Sequence, residues 1–516
     1  MHPALFWEHD RVRNPNGKTN NDMALCKNIL AFDLGAESGR GILGRFDGQQ
    51  LTLEVMHRFA NGAVRLLDTL QWDVLRLYSE MLATLRKIAA DHGGIDCLGV
   101  DTWGVDFALL GRGSTLLGNP RHYRDPHTES VMEAAFERVS RNEIFRQTGL
   151  QFMRFNTLFQ LLAMQRDHSP LLDMAETLLF IPDLFHFFFT GIKVNEFTDA
   201  STSQMIDPRT KSWAYGLIKE FGLPNKLAGS LVAPGTVLGP LRAAVASEVG
   251  LAPMPVIAPA SHDTAAAVAA VPSQGDSWAY ISSGTWSLMG AELTAPLIND
   301  AAQNYNFTNE AGVGGTIRFL KNVMGLWLVQ ECRRAWERSG QAYSYEELTC
   351  LAEKAEPFSG LIDPDAAGFI LPANMPEAIA AYCRRTGQPV PAGPGATVRC
   401  ALESLALRYR WVLDRLEELL GRRLGVIHLV GGGSQNSLLC QWTADACNRE
   451  VLAGPVEATA IGNVLVQAMG LGLVGSLAEA REVVRRSFEV RSFIPKNAED
   501  WHGPYERFLG YLMKDN

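Results

Sequence analysis

Residues 31–40 read AFDLGAESGR: Asp33, a glycine two places on, then Ala36, Glu37, Ser38, Gly39 and Arg40. The stretch completes the apolar run NILAFDL and leads into GILGRF, so it joins two strands through a loop of small residues. Such a loop can turn several backbone N–H groups toward a phosphate, with Ser38 adding a hydroxyl. Gly39 has no Cβ to hold a ligand off the backbone. Glu37 places a negative charge in the middle of the loop. A polar turn between two strands fits the same residues, and no GxxxxGK[ST] pattern marks a P-loop.

Reading outward, Asp47-Gly48 marks a tight turn before LTLEVMHRF, as in an antiparallel meander. Val74, Tyr78, Met81, Leu85 and Ile88 recur at helical spacing, and His92-Gly93-Gly94 ends that helix. IDCLGV (95–100) reads as a buried strand that runs into DTWGVDF. Strands followed by alternating helix and strand make a mixed α/β sheet. The second half starts over in the same way. WAYISSGTWSLMGAEL (278–293) is strand, small polar loop, strand; the amphipathic stretch 400–420 is a helix closed by Gly421; VIHLV (426–430) is a strand entering GGGSQN.

Two units that open alike imply two similar lobes with a cleft between them. The turn-rich PSQGD (272–276) places the division so that residues 26–271 form one lobe and 272–516 the other. Residues 1–25 read as a tail, in which the polar run 11–22 is expected to be disordered. Met23 is an alternative start.

Composition narrows the function. The hydrophobic share is 47% and the charged share 20%, ordinary for a soluble globular chain. A net charge of −9 argues against a nucleic-acid or anionic-membrane surface. Its eight cysteines lack CxxC spacing, so neither a zinc site nor a dense disulfide framework is indicated. Cys383 and Cys400, or Cys440 and Cys447, could lie near one another, although reduced, buried thiols are the plainer reading. The apolar run 461–475 is interrupted by Asn463, Gln467 and several glycines, so it is not a membrane span. With no leader pattern at its start, the chain is expected to be cytoplasmic, a monomer or small homo-oligomer.

Four stretches gain meaning together: DLGAESGR, SHDT (261–264), SSGTW (282–286) and GGGSQN (431–436). In this order they resemble the first phosphate motif, the catalytic segment, the second phosphate motif and the adenosine motif of the FGGY carbohydrate kinases. That family belongs to the actin–hexokinase–Hsp70 ATPase superfamily. DTWGVDF, YRDPHT (123–128) and LKNVMGLWLVQ (320–330) resemble more particularly the branch acting on L-rhamnulose. The resemblance runs from about Asn28 to residue 508. It implies an α/β chain of two similar ribonuclease-H-like (actin-like ATPase) lobes with an interdomain cleft. It also implies ATP and Mg²⁺ as cofactors and a small-molecule ketose as substrate.

Site roles follow from the same resemblance. Asp263 matches the catalytic base, which takes the proton of the sugar's 1-hydroxyl. Since a helix follows it, Asp263 could also be a plain N-cap. Asp33 matches the aspartate that holds Mg²⁺ through water. Ala36, Glu37, Ser38, Gly39 and Arg40 would line the β- and γ-phosphates, with Arg40 also able to serve as an ion-pair partner. Thr285, Gln330 and Gly432 match further nucleotide contacts. Gly104, His262, Asp263, Thr264 and Asn322 map onto the sugar site, and Trp103 either stacks on the sugar or belongs to the core. Asp125 is a candidate cleft residue. One departure stands out: His127 occupies the place where the YRDxRT pattern has arginine. Other ketoses, such as L-fuculose or a pentulose, remain open, as does a non-catalytic ATP-binding role. Glu37 is expected to face solvent or the water shell of the metal.

Overall fold

A computed structural model describes residues 26–512; the expected tail, 1–25, lies outside the described residues. The apolar run becomes strand β1 (Lys27–Leu34), in which Ile29, Leu30, Ala31 and Phe32 are wholly buried. A short loop returns it as β2 (Ser38–Phe46), and a four-residue turn at Asp47 leads to β3 (Leu51–Ala60). Helix α1 (Val74–His92) is capped at its start by the Asp73 side chain, which accepts the Arg76 N–H. It ends at Gly93, whose φ of 73° is a left-handed conformation that glycine adopts without strain.

The first sheet adds β4 (Cys97–Thr102), β5 (Thr236–Pro240) and β6 (Pro255–Ala258), in the order β5-β6-β4-β1-β2-β3. β1, β4 and β6 run parallel, and the hairpin β1–β2 is antiparallel. Helix α2 (Asp263–Ala269) follows the end of β6.

The second sheet repeats this plan. It comprises β7 (Trp278–Ser283), β8 (Trp286–Leu293), β9 (Thr308–Ala311), β10 (Ile317–Met324), β11 (Val426–Val430), β12 (Glu450–Ala453) and β13 (Arg491–Phe493). Its order is β9-β10-β8-β7-β11-β12-β13. Again a central strand, β7, forms an antiparallel hairpin on one side and pairs in parallel with β11 on the other. Helix α3 (Trp327–Arg338) follows β10, and α4 (Gly393–Leu420) precedes β11. α4 begins seven residues before the stretch read from periodicity, because Pro394 suits a first helical turn, where its missing N–H has no partner to lose.

Helix α5 (Ala458–Gly470), from the later half of the chain, packs back on the first sheet. Gln467 Nε2 donates to the Leu30 carbonyl at 2.9 Å, and Asn463 Nδ2 to Asp101 at 2.6 Å. At Gly462 a Cβ would fall 1.8 Å from the carbonyl oxygen of Ala266, so only glycine lets α5 lie this close to α2. Among the described residues no helix is long and apolar enough to cross a membrane. The cysteines are free thiols, with Cys383 and Cys400 close enough to hydrogen-bond. Cys440 and Cys447 sit two turns apart on one helix.

Candidate active site

The two hairpins that open the two sheets face one cavity of about 280 Å³. In the first, the register sets Asp33 opposite Arg40. Its loop is held from within and without: Gly35 N–H donates to the Ser38 carbonyl at 2.9 Å, and Asn61 Nδ2 to the Gly35 carbonyl at 2.7 Å. The Arg40 guanidinium lies between the carboxylates of Asp33 and Glu457, the residue that opens α5. Arg40 is therefore an ion-pair partner, and it also lines the cavity. Glu37 is partly exposed; its Oε2 pairs with Arg334 Nη2 on α3 at 2.7 Å, and its Oε1 is buried without a hydrogen-bond partner. Gly39 serves packing: a Cβ there would fall 2.2 Å from the Phe59 ring.

The second hairpin is braced by the start of α3. Leu326 N–H donates to the Gly284 carbonyl at 2.9 Å and Trp327 N–H to that of Thr285 at 3.1 Å. The glycine loop after β11 closes on it from the other side, since a Cβ on Gly433 would lie 2.1 Å from Ser283 Oγ. At Gly432, by contrast, a Cβ would meet no atom within 4 Å, and at Gly284 only the Trp286 carbonyl at 3.8 Å. These two glycines leave open space on the cavity wall, where a ligand can approach the backbone.

Gly35, Ala36, Trp103, Gly104, His262, Asp263, Thr264, Thr285, Asn322 and Gly432 all line the cavity. Asp33, Glu37, Ser38, Gly39 and Gln330 are not part of that wall. Gln330 lies on α3 one turn before Arg334. Gly104 has a second constraint, because a Cβ there would come within 2.8 Å of Thr202, whose hydroxyl accepts the Val105 N–H.

Asp263 is the first residue of α2, and His262 occupies the cap position, so the plain N-cap reading does not hold. Its Oδ1 accepts the Thr264 N–H at 2.5 Å and the Thr264 hydroxyl at 3.2 Å. Burial, and then the nearby Asp33 charge, push the Asp263 carboxyl up to about 7. Such a group exchanges its proton near neutrality. Asp101 pairs with Asp33 across β1 and β4, is fully buried, and is raised well above the usual carboxylate range by burial and by Asp33.

Arg40 pairs with Asp33 and Glu457 and lies near Asp101, Arg318 is the cation nearest in effect to Asp263, and Asp101 Oδ1 is buried without a hydrogen-bond partner. The excess negative charge suits a divalent cation. Among the described residues no group of three or more His, Cys, Asp or Glu is placed to hold a metal ion directly.

His262 Nδ1 lies 3.0 Å from Arg318 Nη2, and its Nε2 lies 3.4 Å from Asp263 Oδ1. Burial, and then the Arg318 charge, hold the imidazole well below its ordinary pKa, so the ring is neutral. The Asn322 amide Nδ2 is engaged by Gln151 Oε1 at 3.1 Å. Trp103 packs in the core, its ring stacked on Trp72 with centroids 3.8 Å apart, and it also lines the cavity. Glu310, Thr308, Gln151 and Asn156 also line the cavity, and sequence reasoning missed them. No local pattern singles them out, since strand register and loop packing bring them together.

Of the YRDPHT stretch, Tyr123 lines the cavity, whereas Asp125 departs from the expectation of a cleft residue. Asp125 is buried and absent from the cavity wall, so it organises its own loop. It accepts the Leu70 N–H at 2.6 Å and the His127 N–H at 3.0 Å, and pairs with the His127 ring at 2.9 Å. Burial works to raise this carboxyl, but the His127 and backbone hydrogen bonds outweigh it and hold it down at about 2. Arg124 is the residue of this stretch that reaches the second lobe, stacking over Trp327 at 4.0 Å.

Residues 28–270 match the N-terminal domain of the FGGY family of carbohydrate kinases, and residues 279–471 match its C-terminal domain. A rhamnulokinase of Bacteroides thetaiotaomicron is 46% identical over 93% of this chain and 99% of its own length. One from Enterococcus faecalis is 43% identical over 90% of this chain and 93% of its own. Among solved structures, a xylulose kinase from Lactobacillus acidophilus superposes with a TM-score of 0.78 at 15% identity, over 95% of this chain and 98% of its own. A glycerol kinase from Plasmodium falciparum with ADP gives 0.73 at 16% identity, over 94% and 97%. At such low identity these structures establish the shared two-domain α/β fold. With both family domains matched in order around one cavity, and close relatives over nearly its whole length, the chain belongs to the FGGY family of carbohydrate kinases.

Proposed function

We propose that this protein transfers the terminal phosphoryl group of ATP to the 1-hydroxyl of L-rhamnulose, giving L-rhamnulose 1-phosphate and ADP. The observation that carries the reading is the Asp263 carboxylate, poised near neutrality on the wall of a cavity that both hairpins face. Its relatives named rhamnulokinase support the choice of sugar.

In this reading Asp263 accepts the proton of the attacking hydroxyl as its oxygen bonds to the phosphorus. The loop from Ala36 to Arg40, with Thr285, receives the phosphates. The open wall at Gly432 receives the adenosine, with Gln330 on the helix behind the second hairpin. Trp103, Gly104, His262, Thr264 and Asn322 receive the ketose. Mg²⁺ when bound offsets the triphosphate charge, and Asp33 holds it through water. Closure of the lobes over the bound substrates excludes water from the transferred group. The two lobes act as 26–271 and 272–516, and the protein works in the cytoplasm, where ATP is supplied.

The test is ADP release with ATP, Mg²⁺ and a panel of ketoses. L-rhamnulose should give the highest kcat/KM. A preference for L-fuculose or a pentulose would overturn the sugar assignment. Hydrolysis indifferent to sugar, or none, would overturn the kinase reading in favour of a non-catalytic ATP-binding role.

A further inference from the structure

We infer that Arg318 is a positioning residue: it holds His262 in the tautomer with its proton on Nε2, and this leaves Oδ2 of Asp263 as the oxygen that accepts the sugar's proton. The second half of this inference rests on the kinase reading above; the tautomer does not.

A guanidinium has only donors. Arg318 Nη2 lies 3.0 Å from His262 Nδ1, so Nδ1 must present its lone pair. In a neutral ring the proton then sits on Nε2. A rival is close by. Glu310 Oε2 lies 3.5 Å from Nδ1 and would favour a proton there. The shorter contact and the full charge belong to Arg318. Arg318 is itself fixed: it is wholly buried on β10, its Nε donates to the Ala311 carbonyl at 2.8 Å, and its Nη2 lies 3.1 Å from Glu310 Oε2. The β9–β10 register, with Glu310 opposite Arg318, sets this arrangement.

The consequence falls on Asp263. Its Oδ1 already takes two donors from Thr264 and faces the His262 Nε2–H at 3.4 Å, a long contact that closes little further before it becomes a third. Among the described residues nothing donates to Oδ2. An oxygen crowded by donors is a weak acceptor, whereas Oδ2 keeps its lone pairs for the substrate hydroxyl. Without Arg318, the Nδ1 position would carry the proton and donate to Glu310, and Nε2 would turn a lone pair on the base.

The experiment is a long-range ¹H–¹⁵N spectrum of histidine-labelled protein at neutral pH, with the His262 signal identified by its loss in His262→Gln. The wild type should show a neutral ring protonated at Nε2. Arg318→Met should move the proton to Nδ1 and lower kcat on the order of 10–100-fold, the scale seen when a partner orienting a histidine is lost. Arg318→Lys, still a pure donor, should keep the Nε2 signature and recover part of kcat. A wild-type signal protonated at Nδ1, or an Arg318→Met protein with unchanged tautomer and kcat, overturns the proposal. Should Arg318→Met fail to fold, the wild-type spectrum and Arg318→Lys decide it. Absence of sugar-dependent ADP release in the wild type would instead sink the kinase reading and leave the spectrum interpretable.

Discussion

Glu37 and Arg334 meet at 2.7 Å, so the loop of the first hairpin is tied by an ion pair to the helix that braces the second. Their side chains are 32% and 38% exposed, which limits the strength of the pair to about 0.2–1 kcal/mol. Glu37→Gln and Arg334→Gln should each lower stability by no more than this and leave ATP affinity nearly unchanged. Their double mutant should lose no more than either single one, and the difference should shrink in high salt. Thermal melts and ATP titrations at two ionic strengths check this. A large loss of Mg·ATP affinity in Glu37→Gln would place that carboxylate in the metal's environment.

Asp263→Asn should fold and lose about 10²–10⁴ in kcat, the usual contribution of a positioned base. For the wild type, kcat/KM should rise with pH through about 7, as the Asp263 carboxyl gives up its proton. The stability sign runs the other way. The folded pKa lies above the 3.8 of an ordinary aspartate, so this carboxyl binds its proton more tightly folded than unfolded. Its ionisation therefore costs stability as pH climbs from about 4 to about 7. Asp263→Asn should melt higher than wild type at pH 8 and close to it at pH 4. Melts at those two values test the linkage apart from the chemistry.

The glycines offer a paired comparison. Gly432→Val points its side chain into open cavity, so the protein should keep its melting temperature and raise KM for ATP. Gly39→Ala meets the Phe59 ring and should cost about 1–3 kcal/mol of stability, the usual range for overpacking. Measuring both variants by melt and by ATP titration separates a glycine that makes room for a ligand from one that makes room for a phenylalanine.

His127 lies outside the cavity wall and holds Asp125. His127→Gln should change KM for the sugar by no more than about twofold, a difference of under 1 kcal/mol. Its effect should appear in acid. The Asp125 carboxyl is depressed to about 2, so its contribution is present above about 4 and is lost as pH falls toward 2. With His127 replaced, part of that contribution disappears, and acid unfolding should begin at a higher pH. An acid titration followed by fluorescence reads this out.

Much of this protein is legible in its residues. NILAFDL and VIHLV are strands because short apolar runs with little polar interruption suit burial on both faces of a parallel sheet. Gly93 and Gly421 end their helices because the left-handed turn is least costly without a Cβ. AFDLGAESGR, SSGTW and GGGSQN, in that order, indicate the family, and SHDT (261–264) between them points to Asp263. What the sequence left open are long-range pairings. No local signal tells that Arg40 meets Glu457, 417 positions away, or that α5 returns to the first sheet. The directions of Glu37 toward Arg334 and of Arg318 toward His262 were likewise decided by tertiary structure. Local chemistry fixes which groups a loop can offer, whereas the packing of distant elements fixes where a flexible charged side chain finds its partner.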